Sequence, residues 1–244
     1  MDKNLLKRCL FLLFLIIIIM IVLYIMARYD EEGEKNLPFS ISKILIVSTV
    51  NGQANDDLEN IWNINIEQVN DIYMYIDRAD NIEETIKEIK FNNFIVNKQP
   101  EIGELKLLRP TGELSNLYVQ SEQNYLDSEI VYLGGLIDDM KSLEISNTGG
   151  ILGFRFALEN LGTFISNENE EINYDGRLLS NLGITDIEKL KFNVSFDVTI
   201  KTSKNISYNG NINLDMPAPN IITEGNSNIE ITDFSNVIFK RIKD

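Results

Sequence analysis

From Cys9 to Ala27 the chain reads CLFLLFLIIIIMIVLYIMA, an uncharged and almost wholly apolar run that follows Lys3, Lys7 and Arg8. At ~1.5 Å of rise per residue, a helix of this length reaches across a hydrocarbon layer of ~30 Å. Basic residues on the N-terminal side favour leaving that end in the cytoplasm, although Arg28 and Lys35 beyond the run reduce the asymmetry. A cleaved signal peptide would carry a shorter apolar core, ~7–15 residues, and a small-x-small site. Here Ile25-Met26-Ala27 puts a bulky residue where a small one is preferred, and Cys9 stands at the start of the run, not after the small residues of a lipoprotein signal. The run therefore predicts an uncleaved, single-pass signal anchor. Residues 1–8 would be cytoplasmic, 9–27 a transmembrane helix in contact with the membrane, and the rest exported and tethered.

Composition narrows what the exported part can do. Setting aside Asp2, Lys3, Lys7 and Arg8 with the anchor takes the formal charge from -15 for the whole chain to -17. Such a surface repels nucleic acid, so nucleic acid is excluded as a partner. The absence of histidine removes Ser-His-Asp and Cys-His catalysis and His-ligated metals. Cys9 is the one cysteine, so the exported part has neither a disulfide nor a thiol nucleophile and must be held by its own core.

After a polar linker at 28–40 the dominant pattern has period two. Lys43 to Val50 is rich in β-branched residues and ends at Asn51-Gly52, a turn signal. Ile61 to Ile66 and Ile72 to Ile76 alternate apolar with polar and are separated by Asn70-Asp71, which suggests a hairpin. Ile86 to Val96 reads as strand, with a short helix as the alternative, and Gly103 to Leu108 as another strand. Further strands are expected at Glu129 to Leu133, Leu143 to Ser146 and Ile151 to Leu158. Thr185-Asp186-Ile187-Glu188 fits a capping box with Thr185 as N-cap, starting one short helix. Phe192 to Ile200 and Ile206 to Leu214 form the clearest hairpin, and Ile229-Glu230-Ile231 a last short strand. Many short strands with little helix give an all-β exported part, one or two β-sandwich-like modules behind a single N-terminal transmembrane helix. The polar stretch 111–128 divides it into a β module at 41–110 and a second, with one short helix, at 129–244.

Few motifs carry chemistry. Gly149-Gly150-Ile151-Leu152-Gly153 has glycines but neither the dinucleotide nor the P-loop spacing, and reads as a hairpin turn. Glu168, Glu170, Glu171 and Asp175 crowd one loop and form a weak Ca²⁺ candidate, since calcium takes 6–8 oxygen ligands; the spacing fails the EF-hand rule, and a solvated loop is favoured. Asp56-Asp57, Glu83-Glu84 and Asp138-Asp139 are adjacent carboxylates, but neighbours along a strand point to opposite faces, so adjacency makes no catalytic pair. Trp62 reads as core. Tyr73 and Tyr75 alternate with Ile72, Met74 and Ile76. They either line an exposed face that binds protein or make ordinary cross-strand packing. No cofactor, metal or small-molecule ligand and no catalytic residue is expected.

The segments Gly33-Glu-Lys-Asn-Leu-Pro-Phe39, Lys98-Gln-Pro-Glu-Ile-Gly-Glu-Leu-Lys106 with Arg109-Pro110, Ser146-Asn-Thr-Gly-Gly150 and Tyr174-Asp-Gly176 resemble a group of single-pass membrane-anchored exported proteins of low-GC Gram-positive bacteria. That group has no known activity, so the resemblance implies a tethered exported protein and no site residue. The functional expectation is a membrane-tethered extracytoplasmic protein of the cell envelope that binds or scaffolds, with envelope proteins as partners. The alternative is a carboxylate-dependent hydrolase acting on cell-wall glycan, which would need two carboxylates within ~5–10 Å in a concave site.

Overall fold

The computed structural model describes residues 3–32, 37–55, 61–80, 82–110, 123–135, 143–167 and 177–242. Helix α1 (Lys3–Glu32) has 30 residues, about 45 Å at ~1.5 Å per residue. It runs past the expected end at 27 because no glycine or proline precedes Gly33. Its large apolar side chains at positions 10–26 are exposed, so no described part of the chain buries them.

Among the described residues, the rest forms eleven strands in two sheets. β1 (Phe39–Asn55), β2 (Ile61–Arg78), β4 (Glu104–Leu108), β7 (Gly149–Asn167) and β10 (Asn226–Ile231) form one, in the order β10-β1-β2-β7-β4. β3 (Ile86–Lys98), β5 (Ile130–Gly135), β6 (Glu144–Ser146), β8 (Phe192–Thr202), β9 (Ser207–Met216) and β11 (Lys240–Ile242) form the other, in the order β11-β9-β8-β3-β5-β6. All pairings are antiparallel except β5 with β6.

Strict alternation makes each inner face. Phe192, Val194, Phe196, Val198 and Ile200 of β8 are buried, with half-buried residues between them. Their rings meet those of the opposite sheet: Phe154 of β7 lies 5.4 Å from Phe196 and 5.1 Å from Phe91 of β3, centroid to centroid. These spacings are those of edge-to-face and tilted aromatic packing. Short helix α2 (Arg177–Asn181) adds Leu178 and Leu179 to the same core. α3 (Ile221–Glu224) adds Ile221. Neither helix is visible in the periodicity, because each is only about one turn long.

Four expectations are corrected. The segments 41–110 and 129–244 do not make separate sheets. β7 and β10 pair with strands of the first segment, and β3 lies between β5 and β8 of the second. Asn51-Gly52 is not a turn: β1 continues to Asn55, with Asn51 opposite Glu67 and Gly52 opposite Ile66. Asn70-Asp71 does not break β2, which runs unbroken to Arg78. The 3-10 turn at Ile187–Lys189 is capped by Asp186, whose side chain accepts from the Glu188 N–H, and not by Thr185.

Candidate functional surfaces

The alternation that buries Ile72, Met74 and Ile76 turns Tyr73 and Tyr75 to the outer face of the five-stranded sheet. Register sets their neighbours. Leu45, Tyr73 and Gly153 form one row across β1, β2 and β7; Lys43, Tyr75 and Ile151 form the next; Val47, Asp71 and Arg155 the third. Gly153 leaves no side chain beside Tyr73. Ile151 is 53% exposed. Polar contacts hold this face in place. The Arg155 guanidinium donates to both oxygens of Asp71 at 2.6 and 2.9 Å, and Lys43 Nζ stands 4.4 Å from the centre of the Tyr75 ring and 3.5 Å from Glu230. Partial burial raises the Tyr73 hydroxyl above the ordinary tyrosine pKa, and the Asp71 charge adds to this.

Further along the same face, Val69, Ala157 and Leu108 make a small buried apolar island separate from the main core. Lys106 and Glu159, paired at 2.6 Å, come from β4 and β7, which supply Leu108 and Ala157. Glu67 of β2 shares this face. Burial lifts its carboxyl above the usual range, and the Glu159 charge adds to that; the hydrogen bond from Asn51 and the Arg155 charge oppose it.

Among the described residues, two open clefts lie elsewhere. One, of about 480 Å³, is lined by Asn92, Asn93 and Phe94 of β3 and by residues 126–129. It carries two carboxylates, Asp127 and Glu129, of which Glu129 is paired with Lys90 Nζ at 3.0 Å. The other, of about 360 Å³, lies between residues 211–214 of β9 and residues 231–238.

The residues singled out from sequence for chemistry are not brought together. Glu168, Glu170, Glu171 and Asp175 lie outside the described residues, as do Asp56-Asp57 and Asp138-Asp139, and Trp62 is described in its backbone alone. Glu84 is bonded to Lys204 Nζ at 2.7 Å while Glu83 is exposed, and neither lines the two clefts. Gly149-Gly150 opens β7 just after the turn at Asn147-Thr148, but the expected hairpin is not formed: β6 before the turn belongs to the six-stranded sheet and β7 after it to the five-stranded one, so the glycine motif serves a crossing between sheets. Among the described residues, no group of three or more His, Cys, Asp or Glu side chains is placed to hold a metal ion.

One surface escaped the sequence reading. On the outer face of the six-stranded sheet, Asp197 accepts from Asn93 Nδ2 and Asn211 Nδ2, each at 2.8 Å. Asn193 Nδ2 donates to Asp215 at 2.7 Å and to Asn213 Oδ1 at 2.6 Å, while its own Oδ1 accepts from Asn97 at 2.8 Å. The signal was present as Asn193, Ser195 and Asp197 at alternate positions of one strand and Asn or Asp at every second position of 209–215 in the next, but which residues bond depends on a register that periodicity does not give.

No family model, curated protein or solved structure matches the chain.

Proposed function

We propose that the chain is a membrane-tethered extracytoplasmic binding or scaffolding protein of the bacterial cell envelope. The observation that carries this reading is the outer face around Tyr73 and Tyr75. Aromatic and arginine side chains with an exposed Ile151 are what the buried centres of protein interfaces contain. The Arg155–Asp71 fork and the Lys43–Tyr75 contact fix those side chains in advance, so less conformational entropy is lost on association.

The tether is α1. A helix apolar all round over residues 10–26, with no described protein surface over it and long enough to cross a membrane, suits a lipid surrounding. Lys3, Lys7 and Arg8 favour an N-terminus in the cytoplasm and a C-terminal part outside. Glu32 ends the helix and Phe39 begins β1. The seven residue steps between them span at most about 25 Å, at ~3.3–3.6 Å each, so the partner must lie close to the membrane.

The test has two arms in the native host. A reporter that folds only outside the cytoplasm, fused after Asp244, should be active, and an inactive reporter would remove the extracytoplasmic assignment. Proteins crosslinked to the full chain within intact cells should be lost from the double variant Tyr73→Ala/Tyr75→Ala and retained with Ser227→Ala on the edge strand β10. Equal capture by both variants would reject this face as the binding surface.

A further inference from the structure

β9 carries a second recognition element, independent of the tyrosine face. Thr202 N–H donates to the Ile206 carbonyl at 2.9 Å, which makes these two a hydrogen-bonded pair of the β8–β9 hairpin. In an antiparallel ladder such pairs alternate. Residues 208, 210, 212 and 214 therefore direct their backbone groups toward β8, and residues 209, 211 and 213 direct theirs to the opposite side. β11 pairs with only the first part of that edge, opposite residues 207–209. Beyond it the chain at 231–238 leaves the cleft of about 360 Å³, and no backbone–backbone hydrogen bond links it to residues 211–214. The N–H and C=O groups of Asn211 and Asn213 thus face open space in the plane of the sheet, where β11 shows that this edge takes an antiparallel strand.

The side chains beside this edge are set as well. A carboxylate only accepts, so Asp197 obliges Asn211 to turn its NH2 inward, leaving Asn211 Oδ1 outward. Asn193 fills Asn213 Oδ1, which leaves the Asn213 NH2 available. Asp233 lines the cleft, Asp197 holds Asn211 and Asp215 continues β9; with Lys191 beside Asp215 and Lys240 opposite Asn209, carboxylates still outnumber the basic groups along residues 211–215. Phe234 and Ile238 supply an apolar patch on the far wall.

We propose that the edge of β9 at residues 211–215 binds an extended polypeptide segment carrying basic side chains, which adds to the six-stranded sheet as a strand. Main-chain hydrogen bonds give such additions their affinity, and alternate side chains give their selectivity. An unpaired edge is a template for another chain, and the acidic surroundings select a basic one.

The experiment uses the full-length protein in nanodiscs and a labelled decapeptide of alternating lysine and valine. The expected result is saturable binding that slows exchange of the Asn211 and Asn213 amide protons. N-methylation of alternate peptide amides in one register should cost roughly tenfold in affinity, and in the other register little. Glutamate in place of lysine should abolish binding. Asn213→Pro should also lose roughly tenfold, because it removes an N–H aimed away from β8, where edge proline is tolerated. If that variant fails to fold, the two N-methylated peptides still decide, since they leave the protein untouched. No saturable binding at millimolar peptide, or equal effects of methylation in both registers, would overturn the proposal. So would a concentration-dependent dimer that the peptide cannot dissociate, which would assign the edge to a second copy of this chain.

Discussion

Ser48, Gln68 and Asn70 are fully buried on the inner face of the five-stranded sheet. They form a closed neutral network. Ser48 Oγ donates to Asn70 Oδ1 at 2.7 Å and accepts from the Ala218 N–H at 2.8 Å, and Gln68 and Asn70 exchange bonds at 2.9 and 3.1 Å. Removing one member leaves others unpaired away from water, at about 1–3 kcal/mol per group. Asn70→Ala strands both Ser48 and Gln68, so we expect a loss of about 2–4 kcal/mol, measured by urea unfolding of the full chain in detergent. A loss under about 0.5 kcal/mol would mean that water enters and replaces the missing partner. Glu67, on the outer face, makes a pH prediction. Its folded pKa is raised, so between the unfolded and folded values the folded state binds more protons, and stability falls as pH rises through that window. At neutral pH the charged carboxylate is a net cost. Glu67→Gln keeps an oxygen to accept from Asn51. It should raise the melting temperature at pH 7 and leave it unchanged well below the ordinary glutamate pKa. A lower melting temperature at pH 7 would show that attraction to Arg155 outweighs the desolvation.

At the scale of the element, sequence and structure agree where local pattern and long-range pairing demand the same thing. β8 and β9 were legible because each alternates strictly and their turn is local, closed by the Asn205 N–H to Thr202 carbonyl bond at 2.9 Å. β1 and β2 were cut short because Asn51-Gly52 and Asn70-Asp71 are turn formers whose competing partners lie far along the chain. Asn70 is bonded to Ser48, and Asp71 to Arg155. No local signal reports an arginine that many residues later satisfies an aspartate. The tyrosine face followed from alternation alone, whereas the amide ladder needed register. Glycine shows the same dependence on distant strands. A Cβ at Gly134 of β5 would stand 2.1 Å from the Ile86 carbonyl oxygen of β3. Because the obstacle is backbone, the strands must separate. Gly134→Ala should cost about 1–3 kcal/mol, as overpacking does, while Gly135→Ala, with open space around it, should cost far less. Equal costs would mean that the β3–β5 pairing yields freely.

For the whole molecule, interleaved pairing has a thermodynamic consequence. β1, β2 and β4 lie in one sheet with β7 and β10, while β3 sits within the other sheet between β8 and β5. One contiguous core joins Ile46 and Phe91 from the first half of the chain to Phe154 and Val194 from the second. A chain that stopped after Pro110 would keep β1, β2, β3 and β4 but lose the partners β5, β7, β8 and β10. It should show no cooperative transition. The full chain in detergent should unfold its β part in one step, unaffected by reductant because Cys9 is the only cysteine. Ile46→Ala and Val194→Ala test this from opposite halves. Both side chains are fully buried, and truncating a buried isoleucine to alanine costs about 2–5 kcal/mol, with valine somewhat less. In a single cooperative unit each variant must lower the same midpoint, by about 2–4 °C per kcal/mol for a body of this size. The shift must be equal whether it is followed by far-ultraviolet circular dichroism or by exchange of amides in β1 and in β8. If Ile46→Ala lowered the midpoint for β1 amides and left β8 unmoved, the halves would be energetically separate despite their shared sheets.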